Sequence, residues 1–343
     1  MVTVAVDGNG ADLGPDEVAQ GAALAAAAGV SVLLFADASK IESVPPGVEL
    51  IDAPVSIAKH GDPAFAVRST PDASIVQATQ AVAQGRAQAL VSGGSTGPAL
   101  AASLFYIKRD RGIHRPALAL PLPRPGNRPV LLLDVGANVE CRPDHLVQFA
   151  HMGSAFARAV LGIAAPSVAL LSNGEEPAKG TPQVKEAHER LSGQEGAGLN
   201  FIGNIEGTQA LDVIVDVVVA DGFTGNIALK VVEGVSAETL RLLRNAARRS
   251  VRARVGGYLL KPSIQGLRQE IDPELTGGAY MLGLRQIGIV CHGRFTRRGF
   301  ASAIEVAARG VQEDVIGRTR AALTAAGALR KPPETGETGA AGG

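Results

Sequence analysis

Short apolar runs that end in polar, glycine-bearing loops recur along this chain and constrain its fold more than any other feature. In the most complete case, an apolar run over residues 130–133 is followed by Asp134, a Gly136-Ala137-Asn138 turn and a helix-favouring segment from Pro143. An apolar run this short, without polar alternation, is typical of a strand covered on both faces. Such strands alternate with helices, so the pattern predicts an α/β protein with three αβα layers and a mostly parallel sheet.

The same pattern predicts the other secondary-structure elements. Strands are expected at residues 2–6, 30–35, 48–51, 89–91, 117–120, 130–133, 168–171, 199–202, 213–220 and 287–291. Helices are expected at 16–28, 71–84, 97–109, 143–157, 182–191 and 300–323, with another from Ile227, and residues 121–129 should form an exposed turn. In open α/β sheets ligands bind at the carboxyl ends of strands. Polar loops after at least six strands therefore predict one shared ligand face.

Composition excludes several functional classes. The formal net charge is zero, aromatic residues make up 3% and Trp is absent, so nothing favours a nucleic-acid partner. Two cysteines without a CxxC or Cys/His cluster favour neither a disulfide framework nor a zinc site. No basic amino-terminal segment indicates secretion, and Gly29 divides the longest uncharged run, residues 18–36. We therefore expect a cytoplasmic protein.

The domain organisation follows from length. Residues 1–330 are predicted to form one α/β catalytic domain, built either as a single unit or as two subdomains around a cleft. Residues 331–343 are predicted to be a disordered tail.

Residues 239–269 are unusually basic, with eight cations and no carboxylate. Arg241, Arg244, Arg248 and Arg252 are predicted to share one face of a projecting amphipathic helical arm, with Arg249 beside them. Such an arm would bind an anionic membrane, at which it could hold the protein peripherally, or an acidic protein partner. A solvated helix face is the plainer interpretation.

Two loops have the composition of an anion site. Residues 8–15 are rich in glycine but lack GxGxxG, because Leu13 stands where a glycine is needed, and they fit a tight turn equally well. Ser95, Thr96 and Gly97 belong to a loop of small residues and hydroxyls before a helix. Such a loop leaves backbone N–H groups free to face an oxyanion, although a plain loop explains the segment almost as well.

Two further loops carry charged groups. The loop over 172–180 contains Glu175, Glu176 and Lys179 between glycines, and is either a solvated turn or part of a site. The loop that begins at Asp221 leads directly into a helix, which Thr224 or Asn226 is expected to cap.

Several longer motifs occur in a fixed order between Val4 and about Val311. They are LDVGANV at 133–139, QFA at 148–150, MGS at 152–154, GEE at 174–176, KG at 179–180, DGFTGN at 221–226, EG at 233–234, GGA at 277–279, LG at 282–283 and HG at 292–293. In this order they resemble the motifs of the phosphate acyltransferases of bacterial phospholipid synthesis.

The chain departs from that family's pattern in four places. Residues 9–12 read Asn-Gly-Ala-Asp where Met-Gly-Gly-Asp is usual, and Ser95 stands in place of an Asn. Residues 73–75 lack the usual Ser-Met pair, and residues 294–298 replace small polar residues with Arg-Phe-Thr-Arg-Arg. These differences bear on substrate preference and on the contacting residues.

The resemblance implies a reaction in which an acyl group passes from acyl-[acyl carrier protein] to inorganic phosphate, giving acyl phosphate and free carrier. It also implies a fold of the isopropylmalate-dehydrogenase and phosphotransacetylase type, a homodimer, and no cofactor or metal. The acyl phosphate would then pass to a membrane acyltransferase that acylates glycerol 3-phosphate, which implies transient contact with the membrane.

This reaction suggests roles for the polar loops. Lys179 and the helix amino termini behind residues 94–97 and 225–226 would hold phosphate, and Lys179 or His292 would stabilise or protonate the leaving thiolate. Asn138 and Asn226 would stabilise the oxyanion, while Asp134 and Asp221 would orient the cations or take a proton from phosphate across a shared cleft. The remaining phosphate- or substrate-binding candidates are Asp7, Asp12, Ser95, Thr96, Gly97, Glu175, Glu176, Gly222 and Gly225.

Alternatives remain at this stage. Cys141 is a candidate covalent nucleophile, but without an adjacent His in sequence a buried thiol is the plainer interpretation. Other functions are a phosphotransacetylase-like enzyme that uses short acyl-coenzyme A, a nicotinamide-dependent dehydrogenase, and a non-catalytic membrane or carrier-protein adaptor. The dense set of polar loops argues against an adaptor, and no carboxylate trio at metal-site spacing supports a dehydrogenase.

Overall fold

The structure, a computed structural model, describes residues 1–194, 198–270 and 272–330. Its strands are β1 (Thr3–Asp7), β2 (Ser31–Ala36), β3 (Val48–Asp52), β4 (Ala89–Ser92), β5 (Ala117–Arg124), β6 (Asn127–Leu133), β7 (Ser167–Leu171), β8 (Asn200–Ile205), β9 (Val217–Val219), β10 (Ala279–Leu282) and β11 (Ile287–Val290). Its α-helices are α1 (Pro15–Ala27), α2 (Pro63–Ser69), α3 (Ser74–Ala83), α4 (Thr96–Tyr106), α5 (Pro143–Ala159), α6 (Pro182–Ser192), α7 (Gly222–Ala246), α8 (Val251–Glu270), α9 (Arg297–Gln312) and α10 (Val315–Ala325).

The strands form one sheet in the order β3-β2-β1-β4-β11-β10-β5-β6-β9-β7-β8. Successive residues of a strand point to opposite faces, so Val4 and Val6 pack with α1 and α9 while Ala5 packs with α2, α3 and α4. Each face of the sheet thus has its own apolar core and its own layer of helices. The predicted three-layer α/β architecture is confirmed.

The sheet contains two parallel sets of strands that run in opposite directions. β1 to β4 and β11 are parallel to one another, and β6, β9, β7 and β8 form the second parallel set. β10 and β5 join the sets through antiparallel pairings. The prediction that all polar loops share one edge is therefore wrong, since carboxyl ends from the two sets leave the sheet in opposite strand directions.

The expected exposed turn over residues 121–129 is mostly strand, because β5 and β6 form a hairpin. β10 pairs with β5 only as far as Ala119, so Pro121 lies where β5 has no β10 partner. Pro123 coincides with a register shift between Leu122 and Arg124. A missing N–H is tolerated at a free edge or a bulge, which explains how prolines fit into this strand.

Two other elements are shorter than predicted. The strand expected over 213–220 is reduced to β9, and the Val215 carbonyl before it accepts a hydrogen bond from buried Arg124 (2.9 Å). The helix expected over 300–323 is interrupted at Asp314, which has φ 48° and whose side chain caps α10 at the Gly317 N–H (3.2 Å). Neither interruption has a Gly or Pro signal at the break itself.

The basic arm is also interrupted. α7 ends at Ala246, so Arg248 and Arg249 lie in a turn before α8, where the Ser250 hydroxyl accepts from the Ala253 N–H (3.1 Å). The prediction of a single basic face over 241–252 is therefore wrong. None of the helices that the structure describes is long and apolar enough to cross a bilayer. The predicted tail, residues 331–343, lies outside the described residues.

Candidate active site

The loops after β6, β9 and β7 lie side by side, because these three strands are neighbours and parallel. They bring together Asp134 and Asn138 after β6, Asp221 with the start of α7 after β9, and the loop that contains Lys179 after β7. We call these residues the β6–β9–β7 group. They are adjacent along one edge of the sheet and do not face each other across a cleft, contrary to expectation.

Asp134 organises the first of these loops. The residue is fully buried, and its carboxylate accepts five N–H hydrogen bonds. The donors are the backbone N–H groups of Leu118 (3.0 Å), Gly136 (3.2 Å), Ala137 (3.0 Å) and Asn138 (2.8 Å) and the Asn138 side-chain amide (2.8 Å). Burial raises the pKa of Asp134, and these donors oppose the rise. No cation lies within ion-pairing distance among the described residues, so Asp134 anchors the loop and does not orient Lys179.

Asn138 is unsuitable as the oxyanion donor expected from the sequence. Its Nδ2 donates to Asp134 Oδ2 (2.8 Å) and to the Pro116 carbonyl (2.7 Å), which uses both hydrogens of the amide. The side chain is 8% exposed. Asn138 therefore holds the β6 loop against the start of β5, and this prediction is corrected.

Asp221 caps α7, a role that the sequence suggested for Thr224 or Asn226. Its Oδ1 accepts from the Thr224 N–H and its Oδ2 from the Thr224 hydroxyl, both at 2.8 Å. Asn226 is exposed just after the first turn of α7 and forms no side-chain hydrogen bond within the described parts of the chain. Its amide therefore remains available for a ligand.

Gly222 and Gly225 allow α7 to begin against the β6 loop. The Gly222 N–H donates to the Asn138 carbonyl (2.7 Å), and a Cβ atom at position 222 would lie 2.6 Å from that oxygen. A Cβ atom at position 225 would overlap the Asp134 carbonyl oxygen. These two glycines, predicted to bind substrate, are required for packing in the structure.

The β7 loop places Lys179 in solvent. Lys179 is exposed and has no ion-pair partner among residues 1–194, 198–270 and 272–330. Glu175 accepts from the Gln209 side chain (2.8 Å), and the Glu176 carbonyl accepts from Asn204 (3.1 Å). Glu175 therefore helps to fix the loop through its side chain and Glu176 through its backbone, and neither forms an ion pair with Lys179.

Cys141 is a poor nucleophile in this environment. The thiol is 9% exposed, and burial together with the charges of Asp134 and Asp221 raises its pKa to about 12. It is therefore a protonated thiol at neutral pH, which favours the plainer interpretation of this cysteine.

Asp7 forms the centre of a second group of residues, at the carboxyl ends of β1 and β4. It is 3% exposed, and accepts from the hydroxyls of Ser74 (2.6 Å) and Ser92 (2.8 Å). Burial raises the pKa of Asp7 to about 6, against the opposing effect of these hydrogen bonds. A small cavity beside it is lined by Asn9, Ser56 and Ser95 among other residues.

The remaining predicted residues lie in this second group. The start of α4 is formed by Ser95, Thr96 and Gly97. The Ser95 hydroxyl donates a hydrogen bond to the Ala58 carbonyl and does not cap the helix. Asp12 is exposed and its N–H donates to the Gly293 carbonyl (2.8 Å). His292 is exposed, and its Nδ1 accepts from the Arg294 N–H (3.2 Å). His292 and Lys179 therefore belong to different groups.

Sequence reasoning missed three polar residues that shape these groups. Ser74 and Ser92 are separated from Asp7 by 67 and 85 positions in sequence, so only the fold brings the three together. Gln148 is 1% exposed and links Gly112 and Ala328. The place of Gln148 in the QFA motif at 148–150 was the available signal for the last of these.

Solved structures with a similar fold include phosphotransacetylases and a 4-hydroxythreonine-4-phosphate dehydrogenase from Klebsiella pneumoniae, the latter with a TM-score of 0.51 and 16% identity over 90% of this chain and 98% of its own. A phosphotransacetylase from Streptococcus pyogenes aligns with a TM-score of 0.60 and 19% identity over 91% of this chain and 94% of its own. The EutD phosphotransacetylase from Staphylococcus aureus gives a TM-score of 0.57 and 18% identity over 90% of this chain and 94% of its own. At this identity the similarity defines the class of fold alone: a phosphotransacetylase-like α/β protein.

Sequence similarity defines the family more closely. The model of the family described as "Fatty acid synthesis protein" matches residues 2–318. The phosphate acyltransferase of Moorella thermoacetica is 42% identical over 320 residues, covering 91% of this chain and 93% of its own. That of Pelotomaculum thermopropionicum is 40% identical over 327 residues, covering 93% and 94%. The chain belongs to the fatty acid synthesis protein family and is an acyltransferase.

Proposed function

We propose that this chain transfers a fatty acyl group from acyl-[acyl carrier protein] to inorganic phosphate and so forms acyl phosphate for glycerol 3-phosphate acylation. Support for acyl transfer to phosphate comes from relatives named phosphate acyltransferases. The observation that carries the proposal is the exposed Lys179, which forms no ion pair among the described residues and lies in the loop after β7, the neighbour of the strand that leads into α7.

Phosphate is the nucleophile in the proposed reaction. One of its oxygens attacks the thioester carbonyl carbon, the carbonyl oxygen becomes an oxyanion, and the C–S bond then breaks as the carbonyl re-forms. The electron pair leaves on sulfur, and the thiolate takes up a proton. No residue need be acylated, which agrees with the high pKa of the Cys141 thiol.

Lys179 and α7 supply the positive charge that this reaction needs. Lys179 is proposed to bind phosphate and to provide the proton or the charge that stabilises the leaving sulfur. The α7 dipole adds partial positive charge near Asp221 and Asn226. Asn226 is proposed as the oxyanion donor, since its amide is exposed and uncommitted whereas that of Asn138 is not.

α8 is proposed to bind an anionic membrane peripherally on the cytoplasmic side. Tyr258 and Leu259 are 76% and 71% exposed, and Arg252 and Lys261 lie on the same helix. Large apolar groups next to cations are typical of interfacial helices. Arg241 contributes less than expected because it pairs with Glu238. A membrane glycerol-3-phosphate acyltransferase would then receive the product.

α7 is proposed to pair with a second copy of the chain. Phe223, Ile227, Val231 and Val235 recur every four residues along α7 and are about half exposed or more. An apolar stripe of this kind favours burial against another protein surface. The homodimer implied by the family resemblance thus has a candidate interface, which a molar-mass measurement of Val231→Glu beside the unmodified chain would test.

One assay tests the proposed reaction. The purified chain is mixed with long-chain acyl-carrier protein and phosphate, and acyl phosphate is trapped with hydroxylamine. We expect trapped product, and a loss of about 10²–10³-fold in rate for Lys179→Ala. Lys185→Ala is the matched control, since Lys185 is an exposed lysine on α6 without an ion pair among the described residues. Product with acetyl-coenzyme A and none with acyl-carrier protein would instead indicate the phosphotransacetylase-like alternative.

Vesicle co-sedimentation tests the arm. We expect the unmodified chain to bind anionic vesicles and Leu259→Asp, or neutralisation of Arg248, Arg249 and Arg252, to weaken that binding. Leu24→Asp is the control, because Leu24 is exposed on α1. Unchanged binding in all arm variants would remove α8 and its preceding turn from the membrane role.

A further inference from the structure

Four exposed arginines surround the amino terminus of α5: Arg109, Arg115, Arg142 and Arg330. We call them the α5 basic patch. Arg142 directly precedes α5, and the Arg109 guanidinium donates to the His114 carbonyl. Arg115 follows His114 in the chain, and burial together with the charges of Arg142, Arg330 and Arg109 lowers the pKa of His114 against the opposing charge of Asp144.

Gln148 fixes the segments that carry these arginines. Its Oε1 accepts from the His114 N–H (2.8 Å), and its Nε2 donates to the carbonyls of Gly112 (2.8 Å) and Ala328 (2.7 Å). The Arg330 N–H also donates to the Gly112 carbonyl (2.8 Å). A single buried amide thus holds the loop before β5 and the segment after α10 against α5. The patch is therefore preorganised and does not depend on long flexible loops.

The four arginines of the patch outnumber the carboxylates around them, although the charge of Asp144 also acts on His114. None of its arginines has a carboxylate within ion-pairing distance in the described parts of the chain, and nearby Asp144 is paired with Arg190 (2.6 Å). Glu140 is the other exposed carboxylate close in sequence.

A buried imidazole beneath the patch adds to the excess of donors. The Nδ1 of His145 accepts from the Arg142 N–H (3.2 Å), and its Nε2 is buried without a partner. Burial and the charges of Arg142, His114 and Arg115 lower the pKa of His145 to about 4, so the ring is neutral and carries its proton on the unpartnered Nε2. Cationic groups and N–H donors outnumber acceptors at this place.

The patch borders the β6–β9–β7 group. Arg115 is followed by Pro116, whose carbonyl accepts from Asn138 (2.7 Å). Arg115 also acts electrostatically on Cys141, the residue next to Arg142. A partner seated on these arginines would therefore lie beside the loops that hold Asn226 and Lys179.

We propose that the α5 basic patch docks an acidic carrier protein and thereby delivers its thioester to the β6–β9–β7 group. The inference rests on the proposed function, in which an acyl-carrier protein is the donor. A fixed cluster of unpaired cations attracts a complementary acidic surface and orients it, which raises the rate of association. The membrane is a poorer fit here, because large exposed apolar groups accompany the cations on α8 whereas Val139 is the exposed apolar residue beside the patch.

The test compares two acyl donors that share the same acyl group: acyl-carrier protein and acyl-pantetheine, which has no carrier to dock. Arg115→Glu and Arg142→Glu are made singly and together in the full chain. The matched control is Arg128→Glu, which makes the same charge change at an exposed position at the opposite end of β6. Thermal unfolding midpoints verify that each variant is folded, and Arg→Gln variants replace any that is not.

For the double variant we expect KM for acyl-carrier protein to rise about tenfold or more, with kcat/KM for acyl-pantetheine unchanged. Added salt should raise KM for acyl-carrier protein with the unmodified chain and with Arg128→Glu, and have less effect with the double variant. An unchanged KM for acyl-carrier protein in the double variant would overturn the proposal. An equal loss of kcat/KM with both donors would also overturn it, as would a double variant that loses only its binding to anionic vesicles. If the unmodified chain uses acyl-pantetheine and not acyl-carrier protein, the proposed carrier substrate fails first.

Discussion

Gly225 packs directly against the backbone of Asp134: a Cβ atom at position 225 would overlap the Asp134 carbonyl oxygen. This contact joins the first turn of α7 to the loop after β6. It explains why a glycine stands near the start of a long helix, where glycine is otherwise unfavourable.

Gly225→Ala should therefore destabilise the protein. Because the methyl group would meet backbone and not a mobile side chain, we expect the free energy of unfolding to fall by about 1–3 kcal/mol or more. Gly234→Ala is the control on the same helix, since nothing lies within 4 Å of its Cβ position, and it should stabilise by up to about 1 kcal/mol. Denaturant unfolding of both variants makes the comparison. Equal effects of the two substitutions would contradict the close contact.

Asn138 and Asn226 should respond differently to the same substitution. Asn138→Ala removes the two hydrogen bonds that the side-chain amide donates, one to Asp134 and one to the Pro116 carbonyl. Each of these buried acceptors then lacks one donor, so the free energy of unfolding should fall by about 1–3 kcal/mol. Asn226→Ala should change stability by less than about 0.5 kcal/mol. Its kcat should instead fall by about 10²–10³-fold if its amide stabilises the oxyanion. Full activity in a folded Asn226→Ala protein would remove that role.

The sequence predicts the strands and their loops better than it predicts how they are arranged. Residues 130–133 read directly as a buried strand, and β6 ends at Leu133 as expected. The direction of β6 relative to β1 depends on β10 and β5, which pair through residues far apart in sequence. β10 was itself missed, because four residues between glycines give too little pattern. The two opposed strand sets could not be foreseen for this reason.

The candidate site shows the same limit. Glycine and polar residues in the loops were correctly located along the chain, but their hydrogen-bond partners were not. Asp134 and Asn138 look equally reactive in sequence, yet the structure commits both to the backbone of their own loop and of the segment before β5. Whether a polar side chain has all its hydrogen bonds satisfied within the protein depends on partners that only folding brings together. Asn226 and Lys179 therefore stand out only once the structure is known.

Cys141 should be dispensable for catalysis. With its pKa raised to about 12 by burial, the thiol is protonated at pH 7, and a protonated thiol is a poor nucleophile. We expect Cys141→Ala to retain kcat within about threefold, and intact-mass measurement during turnover to show no acylated protein. A stable acyl adduct on the unmodified chain, absent from the folded variant, would establish covalent catalysis instead.

Asp7 should make stability depend on pH in the direction opposite to a carboxylate whose pKa is lowered by an ion pair in the folded protein. Burial raises its pKa in the folded protein to about 6, above the ordinary value of 3.8, so the folded state holds this proton more tightly than the unfolded state. The resulting stabilisation is fully present below pH 3.8 and is lost as pH rises through about 6. The change amounts to about 3 kcal/mol for this one group.

Asp7→Asn isolates that contribution, because asparagine keeps the size of the side chain and cannot titrate. We expect the difference in free energy of unfolding between the unmodified chain and the variant to shift by about 2 kcal/mol in favour of the variant between pH 4 and pH 7. Denaturant unfolding at several pH values measures it, with Asp72→Asn as an exposed-carboxylate control. A difference that stays constant over this range would mean that Asp7 titrates at its ordinary pKa, despite its burial against Ser74 and Ser92.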